Sequence, residues 1–155
     1  MISPFRTEQL NPASYDLLLG DDLLIEQAGS TELVRYPLAG HSQEKPYLLV
    51  PGQFVLASTL ETFALPNWVA AKFVLKSSRA REGLQHLLAG WCDPGWHGSR
   101  LTLELKNVRQ LHAVPLWPGM KIGQMVFLQL AAECDRSYAE TGRYNGDDGV
   151  QGSKG

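Results

Sequence analysis

Two segments of this sequence concentrate groups that can do chemistry. The first is Lys76-Ser77-Ser78-Arg79-Ala80-Arg81, three cations and two hydroxyls within six residues. If the run opens a helical turn, its first backbone N–H groups and the serine hydroxyls point outward together, and the helix dipole favours an anion there. Arg81 could then close on phosphate oxygens as a two-pronged donor. The same run also reads as a capped surface turn with solvated charges. The second segment is Ala89-Gly90-Trp91-Cys92-Asp93-Pro94-Gly95-Trp96-His97-Gly98, followed by a strand that carries Glu104. Asp93-Pro94-Gly95 is a turn with its carboxylate at the first position. A carboxylate held between Trp91 and Trp96 suits a sugar hydroxyl, or it staples its own turn. Glu104 stands between leucines. On the polar face of an amphipathic strand it would meet solvent. In a cavity, desolvation would raise its pKa and make it a proton shuttle near neutral pH.

The elements that must hold these groups read as strands. Arg100–Leu105 alternates polar and apolar residues, which predicts a strand with Thr102 and Glu104 on one face and Leu101, Leu103 and Leu105 on the other. Other short apolar runs are Asp16–Gly20, Leu23–Glu26, Tyr47–Val50, Gln53–Leu65, Lys72–Leu75, His112–Leu116 and Lys121–Leu130. Turn pairs such as Pro51-Gly52, Pro66-Asn67 and Pro118-Gly119 separate several of them. Strands at this spacing favour a barrel or sandwich over alternating strands and helices. One helical stretch is expected, Ser77–Glu82, capped by Ser77 or Ser78 and ended by Gly83. The tail 141–155 holds five glycines and one large aliphatic, Val150. It is either a frayed end or a segment that orders over a ligand.

Composition excludes much. With 155 residues, 44% hydrophobic and 19% charged, a single globular domain spanning 1–155 is expected. A net charge of −2 gives no basic field for nucleic acid. No apolar run approaches the ~20 residues of a membrane span, and no signal peptide is read at the start. Cys92 and Cys134 fit no disulfide framework, which suits reduced thiols in the cytoplasm. There is no phosphate loop, no G-x-S-x-G, no C-x-x-C and no H-x-E. Zinc-dependent deamination and zinc-finger sites are therefore disfavoured, leaving carboxylate, serine and arginine chemistry.

Taken in order, four stretches resemble the dCTP deaminase branch of the dUTPase-like superfamily. Asn11-Pro12-Ala13-Ser14-Tyr15-Asp16-Leu17 resembles its NPASYDLRLG-type segment. Lys76–Leu84 resembles its phosphate motif, G-K/R-S-S-L-A-R-L-G-L. Ala89–Gly98 with Leu101–Asn107 resembles AGxIDPGFxGxITLELxN, and Pro118–Phe127 resembles PGMxIGQLxF. The resemblance implies an all-β distorted barrel or jelly roll with one short helix, assembled as a homotrimer with active sites between subunits. It implies zinc-independent deamination of dCTP to dUTP and ammonia. Glu104 would activate water at C4 of cytosine, with Ser77 and Arg81 as its catalytic partners. Ser77, Ser78 and Arg81, with Lys76 and Arg79 nearby, would bind a triphosphate whose Mg2+ is held mainly by the phosphates. Asp93 would contact the deoxyribose, Ala89 the base, and Thr102 and Leu103, on the same strand as Glu104, would also contact the substrate. Tyr138, Arg143, Tyr144 and Gln151 would belong to a closing tail.

Three departures stand out. Between Asp93 and Glu104 the chain carries one residue more than the motif, expected as a bulge at Ser99 or Arg100. The two leucine positions of the phosphate motif are Arg79 and Glu82. The chain is also shorter than most members of that branch. Rival readings are a dUTPase, a bifunctional dUMP-forming deaminase, and a nucleotide-binding regulator without catalysis. No nucleic-acid or membrane partner is expected.

Overall fold

The computed structural model describes residues 1–155. Strands β1 (Ile2–Ser3), β2 (Tyr15–Ile25), β3 (Val34–Pro37), β4 (Tyr47–Leu49), β5 (Phe54–Ala64) and β6 (Val69–Leu75) fill the first half. Helix α1 (Ser77–Arg81) follows, then β7 (Leu84–Gln85), β8 (Trp91–Cys92), β9 (His97–Asn107), β10 (Val114–Leu116) and β11 (Lys121–Gln129). A second helix, α2 (Tyr138–Thr141), precedes the tail, where the sequence suggested only one helix in the chain. Its Ser137 and Glu140 form a capping box, a signal present in the sequence but not read there.

One antiparallel nine-stranded sheet dominates, in the order β7-β9-β5-β2-β11-β6-β8, with β1 added to β5 and β3 to β2. Strands β4 and β10 form a separate pair. The sheet curls into the half-barrel expected of the dUTPase-like type. Bulges bend the long strands. Leu19 pairs with Thr59 but Leu23 with Ala57, so residues 20–22 of β2 oppose Ser58 alone. That bulge is why β2 reads in sequence as two short runs. Gly20 sits in it for a steric reason, since a Cβ there would lie 2.6 Å from Ser58 Oγ.

The core fills the concave side. Leu17, Leu19, Leu23, Val55, Phe63, Phe73 and Ile122 are fully enclosed. Phe63 stacks on Trp96 with centroids 5.4 Å apart, an aromatic pair worth about 0.5–1.5 kcal/mol beyond area burial. Strand β11 packs so closely on β6 that Gly123 has no room for a side chain: a Cβ would sit 2.1 Å from Phe73 Cε2 and 2.9 Å from the Val74 carbonyl. Gly123→Ala should therefore lower unfolding free energy by about 1–3 kcal/mol in a denaturant titration. An unchanged midpoint would contradict this packing.

Candidate active site

Strand β9 decides what faces inward. Leu101, Leu103 and Leu105 enter the core, and Leu103 is 2% exposed. Thr102 and Glu104, on the alternate face, line a cavity of about 520 Å³. The register shifts at Gly98: Phe63 pairs with Ser99 and Ala64 with His97, leaving Gly98 unpaired at φ +67°. A second irregularity lies on the partner strand, where residues 59–61 of β5 oppose Leu101 alone. Thr59 Oγ1 accepts the Leu101 N–H there, at 2.9 Å. Together they preserve the alternation from Leu101 onward. The bulge sits one residue before the expected Ser99 or Arg100, because only glycine takes that positive φ cheaply.

Glu104 is half-buried opposite Leu56. Burial pushes its carboxyl up, and only its own backbone amide acts against this. It has no cationic partner, so its proton is free to move. Another raised carboxyl in the sheet, Glu61, differs. Burial raises it too, but Gln9 Nε2 at 2.7 Å and Leu18 N at 3.1 Å hold it as a structural group outside the cavity.

Asp93 opens the turn that borders the cavity, and its Oδ1 accepts the Trp91 Nε1 proton at 2.8 Å. Trp96 turns inward, and its Nε1 donates to the Tyr144 carbonyl at 2.8 Å. That bond ties the turn to the tail. The tail lies along β9: Ser99 Oγ donates to the Tyr144 carbonyl, Arg100 N to the Asp147 carbonyl, and Gln151 N to Thr102 Oγ1. Val150, 3% exposed, anchors it. Tyr138, Tyr144 and Gln151 thereby reach the cavity, as does Ala89. Cys92 lines it too, but burial holds its thiol at about 12, so it stays protonated.

Two residues escaped the sequence reading. Arg100 lines the cavity and pairs with Asp21 at 2.9 Å. Asp147 also lines it and is held by Lys154 at 2.7 Å. Arg100 lies within the region of the extra residue, and Asp147 follows Arg143-Tyr144, so position alone could have flagged both. Outside the phosphate segment, two expected residues lie elsewhere. The Leu103 side chain belongs to the core, and Arg143 lies outside the cavity lining.

None of Lys76, Ser77, Ser78, Arg79 and Arg81 lines this cavity. Lys76 Nζ binds Asp16 at 2.7 Å, and Lys121 Nζ binds the same carboxylate at 2.9 Å. Arg79 binds Glu82. Ser77, Ser78 and Arg81 are exposed. The charged groups around the cavity are Asp93, Glu104 and Asp147 against Arg100, so it repels rather than attracts a polyanion.

Residues 1–130 match the family model described as dCTP deaminase-like. The chain belongs to that family. Among its curated relatives is a "dCTP deaminase, dUMP-forming" from Acidothermus cellulolyticus, 38% identical over 170 residues, covering 99% of this chain and 85% of that protein. A protein of the same description from Leifsonia xyli subsp. xyli is 46% identical over 115 residues, 72% of this chain and 56% of the relative. Among solved structures, the 2′-deoxycytidine 5′-triphosphate deaminase of Agrobacterium tumefaciens superposes with TM-score 0.64 at 23% identity. That superposition covers 81% of this chain, which spans only 41% of the Agrobacterium chain. The dUTPase of Streptococcus mutans gives 0.57 at 18% identity, covering 83% and 87%. At such identities these two establish the shared fold alone.

For this member of the dCTP deaminase-like family, the match includes Asp16, Lys76–Arg81, Asp93 and Glu104 but stops before α2 and the tail. Asp16 joins three of the matched stretches, through Asn11 at 3.0 Å, Lys76 and Lys121. Burial pushes its carboxyl up, but the bonds from Lys76, Lys121 and Asn11 outweigh burial and hold it at about 2. A carboxyl lowered on folding stabilises the protein above its unfolded value and loses that contribution as pH falls through the folded one. Asp16→Asn should thus be less stable than the parent above pH about 4, with the gap closing towards pH 2 in thermal unfolding. A pH-independent gap would contradict the ion-pair account.

Proposed function

We propose that this protein is a dUMP-forming dCTP deaminase. The reading rests on one observation: the matched glutamate, Glu104, stands unpaired and partly desolvated in the cavity, poised as a general base. The relatives' description as dUMP-forming shifts the expected product from dUTP to dUMP.

In this reading Glu104 takes a proton from water as its oxygen attacks C4 of cytosine. Glu104 passes that proton to the departing amino group as the C4–N bond breaks, releasing ammonia, while the water's other proton ends on N3 as the C4 carbonyl forms. Asp93, on the cavity rim, positions a second water against the phosphate that stays with the nucleoside, and diphosphate leaves. Tyr138, Tyr144 and Gln151 close over the nucleotide. Ser77, Ser78 and Arg81 of a second copy supply the positive charge that this cavity lacks, which suits a trimer with shared sites. No group of three or more His, Cys, Asp or Glu side chains gathers to hold a metal. The oxygen donors of Asp93 and the serines suit magnesium, which would neutralise phosphate charge while held mainly by the phosphates and water.

The test is incubation with dCTP and Mg2+ while ammonia and diphosphate are followed separately. Equal release of both is expected. Ammonia alone would mark a simple deaminase, diphosphate from dUTP alone a dUTPase, and tight binding without turnover a regulator. Glu104→Gln should cut ammonia release by roughly 10²–10⁴-fold while dCTP binding stays within severalfold. The parent's rate should fall as pH drops through the raised Glu104 pKa, at a pH above the usual carboxylate range. Arg81→Ala should chiefly raise KM. Full activity in Glu104→Gln would remove the base from the mechanism.

A further inference from the structure

Helix α1 is poorly equipped to hold its own orientation. It has five residues, none of them buried, and its N-cap Lys76 makes no side-chain capping bond. So short a helix depends on tertiary contacts. Residues three or four apart share a helix face, whereas residues two apart do not. Ser77, Ser78 and Arg81 therefore form one face, and Arg79 lies on the other. The exposure follows this division: Ser77, Ser78 and Arg81 are open to solvent, while the Arg79 side chain is 19% exposed.

The Arg79 guanidinium has two neighbours that hold it. Its Nη1 donates to Glu82 Oε2 at 2.6 Å, and its Cζ lies over the Trp117 ring, 5.7 Å from the centroid. Its Nε is enclosed without a partner, a cost accepted only where stacking fixes the group. In the phosphate motif that this stretch resembles, positions 79 and 82 are both leucine. Here both positions carry charge, and the two side chains pair with each other while Arg79 lies over an aromatic ring.

We infer that Arg79 and Glu82 are positioning residues: clamped on Trp117, they set the direction in which Ser77, Ser78 and Arg81 face, and Arg79 is not itself a phosphate ligand. This rests on the reading of α1 as the triphosphate grip. Either single change leaves a partly buried charge without its partner, whereas two leucines restore an apolar contact on the ring.

The test is a double-mutant cycle read in steady-state kinetics with dCTP and in thermal unfolding of the nucleotide-free protein. Arg79→Leu and Glu82→Leu should each raise KM about 10-fold with kcat within about threefold, and the double variant should return KM to within about threefold of the parent. Each single variant should unfold at a lower temperature than the double. If Arg79 gripped phosphate, Glu82→Leu would be near normal and the double variant as impaired as Arg79→Leu, which would overturn the inference. Unchanged KM in both single variants would overturn it too, as would additive losses of Tm. Should the parent turn over neither dCTP nor dUTP, the functional reading fails, and the unfolding cycle alone still decides whether the clamp exists.

Discussion

The registration of β9 against β5 is the constraint on which the rest depends. Side chains alternate with a period of two, so a slip of one residue would turn Leu103 and Leu105 toward the cavity and Glu104 into the core. Burying each leucine contributes about 1.5–3 kcal/mol, and enclosing an unpaired carboxylate costs several more. Those energies act in one direction and fix the register. The unpaired Gly98 and the excess at residues 59–61 take up the irregularity before the alternation begins. Glu104 thus reaches the cavity because its neighbours cannot.

The second feature is a division of charge. The cavity gathers Asp93, Glu104 and Asp147 around one cation, Arg100, which is itself bound to Asp21. The unpaired cation of the phosphate segment, Arg81, stands exposed on α1 outside the cavity, beside two exposed serines. A proton-transfer site benefits from a carboxylate without a cation beside it, because pairing would lower its pKa and weaken it as a base. Triphosphate binding needs the reverse. In the proposed assembly, separating the two groups on one chain and joining them between chains would meet both demands.

Much of this was legible in sequence because it rests on local rules. The Arg100–Leu105 alternation predicts the face of Glu104, and Gly83, at φ +96°, ends α1 where expected. Strands β3, β7 and β8 were not legible: they are two to four residues long and exist only through pairing with β2, β9 and β6. The tail escaped because glycine-rich composition suits fraying and docking equally. What docks it is Val150, together with main-chain carbonyls that accept from Trp96, Ser99 and Arg100. Carbonyl partners leave no residue signature. The contact of Arg79 with Trp117 was not legible for a related reason: the two residues lie far apart in sequence.

The central claim, a base on one chain working with a phosphate grip on another, is tested most directly by subunit mixing. Glu104→Gln and Arg81→Ala chains, each nearly inactive alone at limiting dCTP, would be unfolded together in equal amounts and refolded. A site needs Glu104 from one kind of chain and Arg81 from the other, so random assembly should restore about a quarter of parental ammonia release, one half times one half. A mixture no more active than the sum of its parts would show that base and grip belong to the same chain, and would contradict the account.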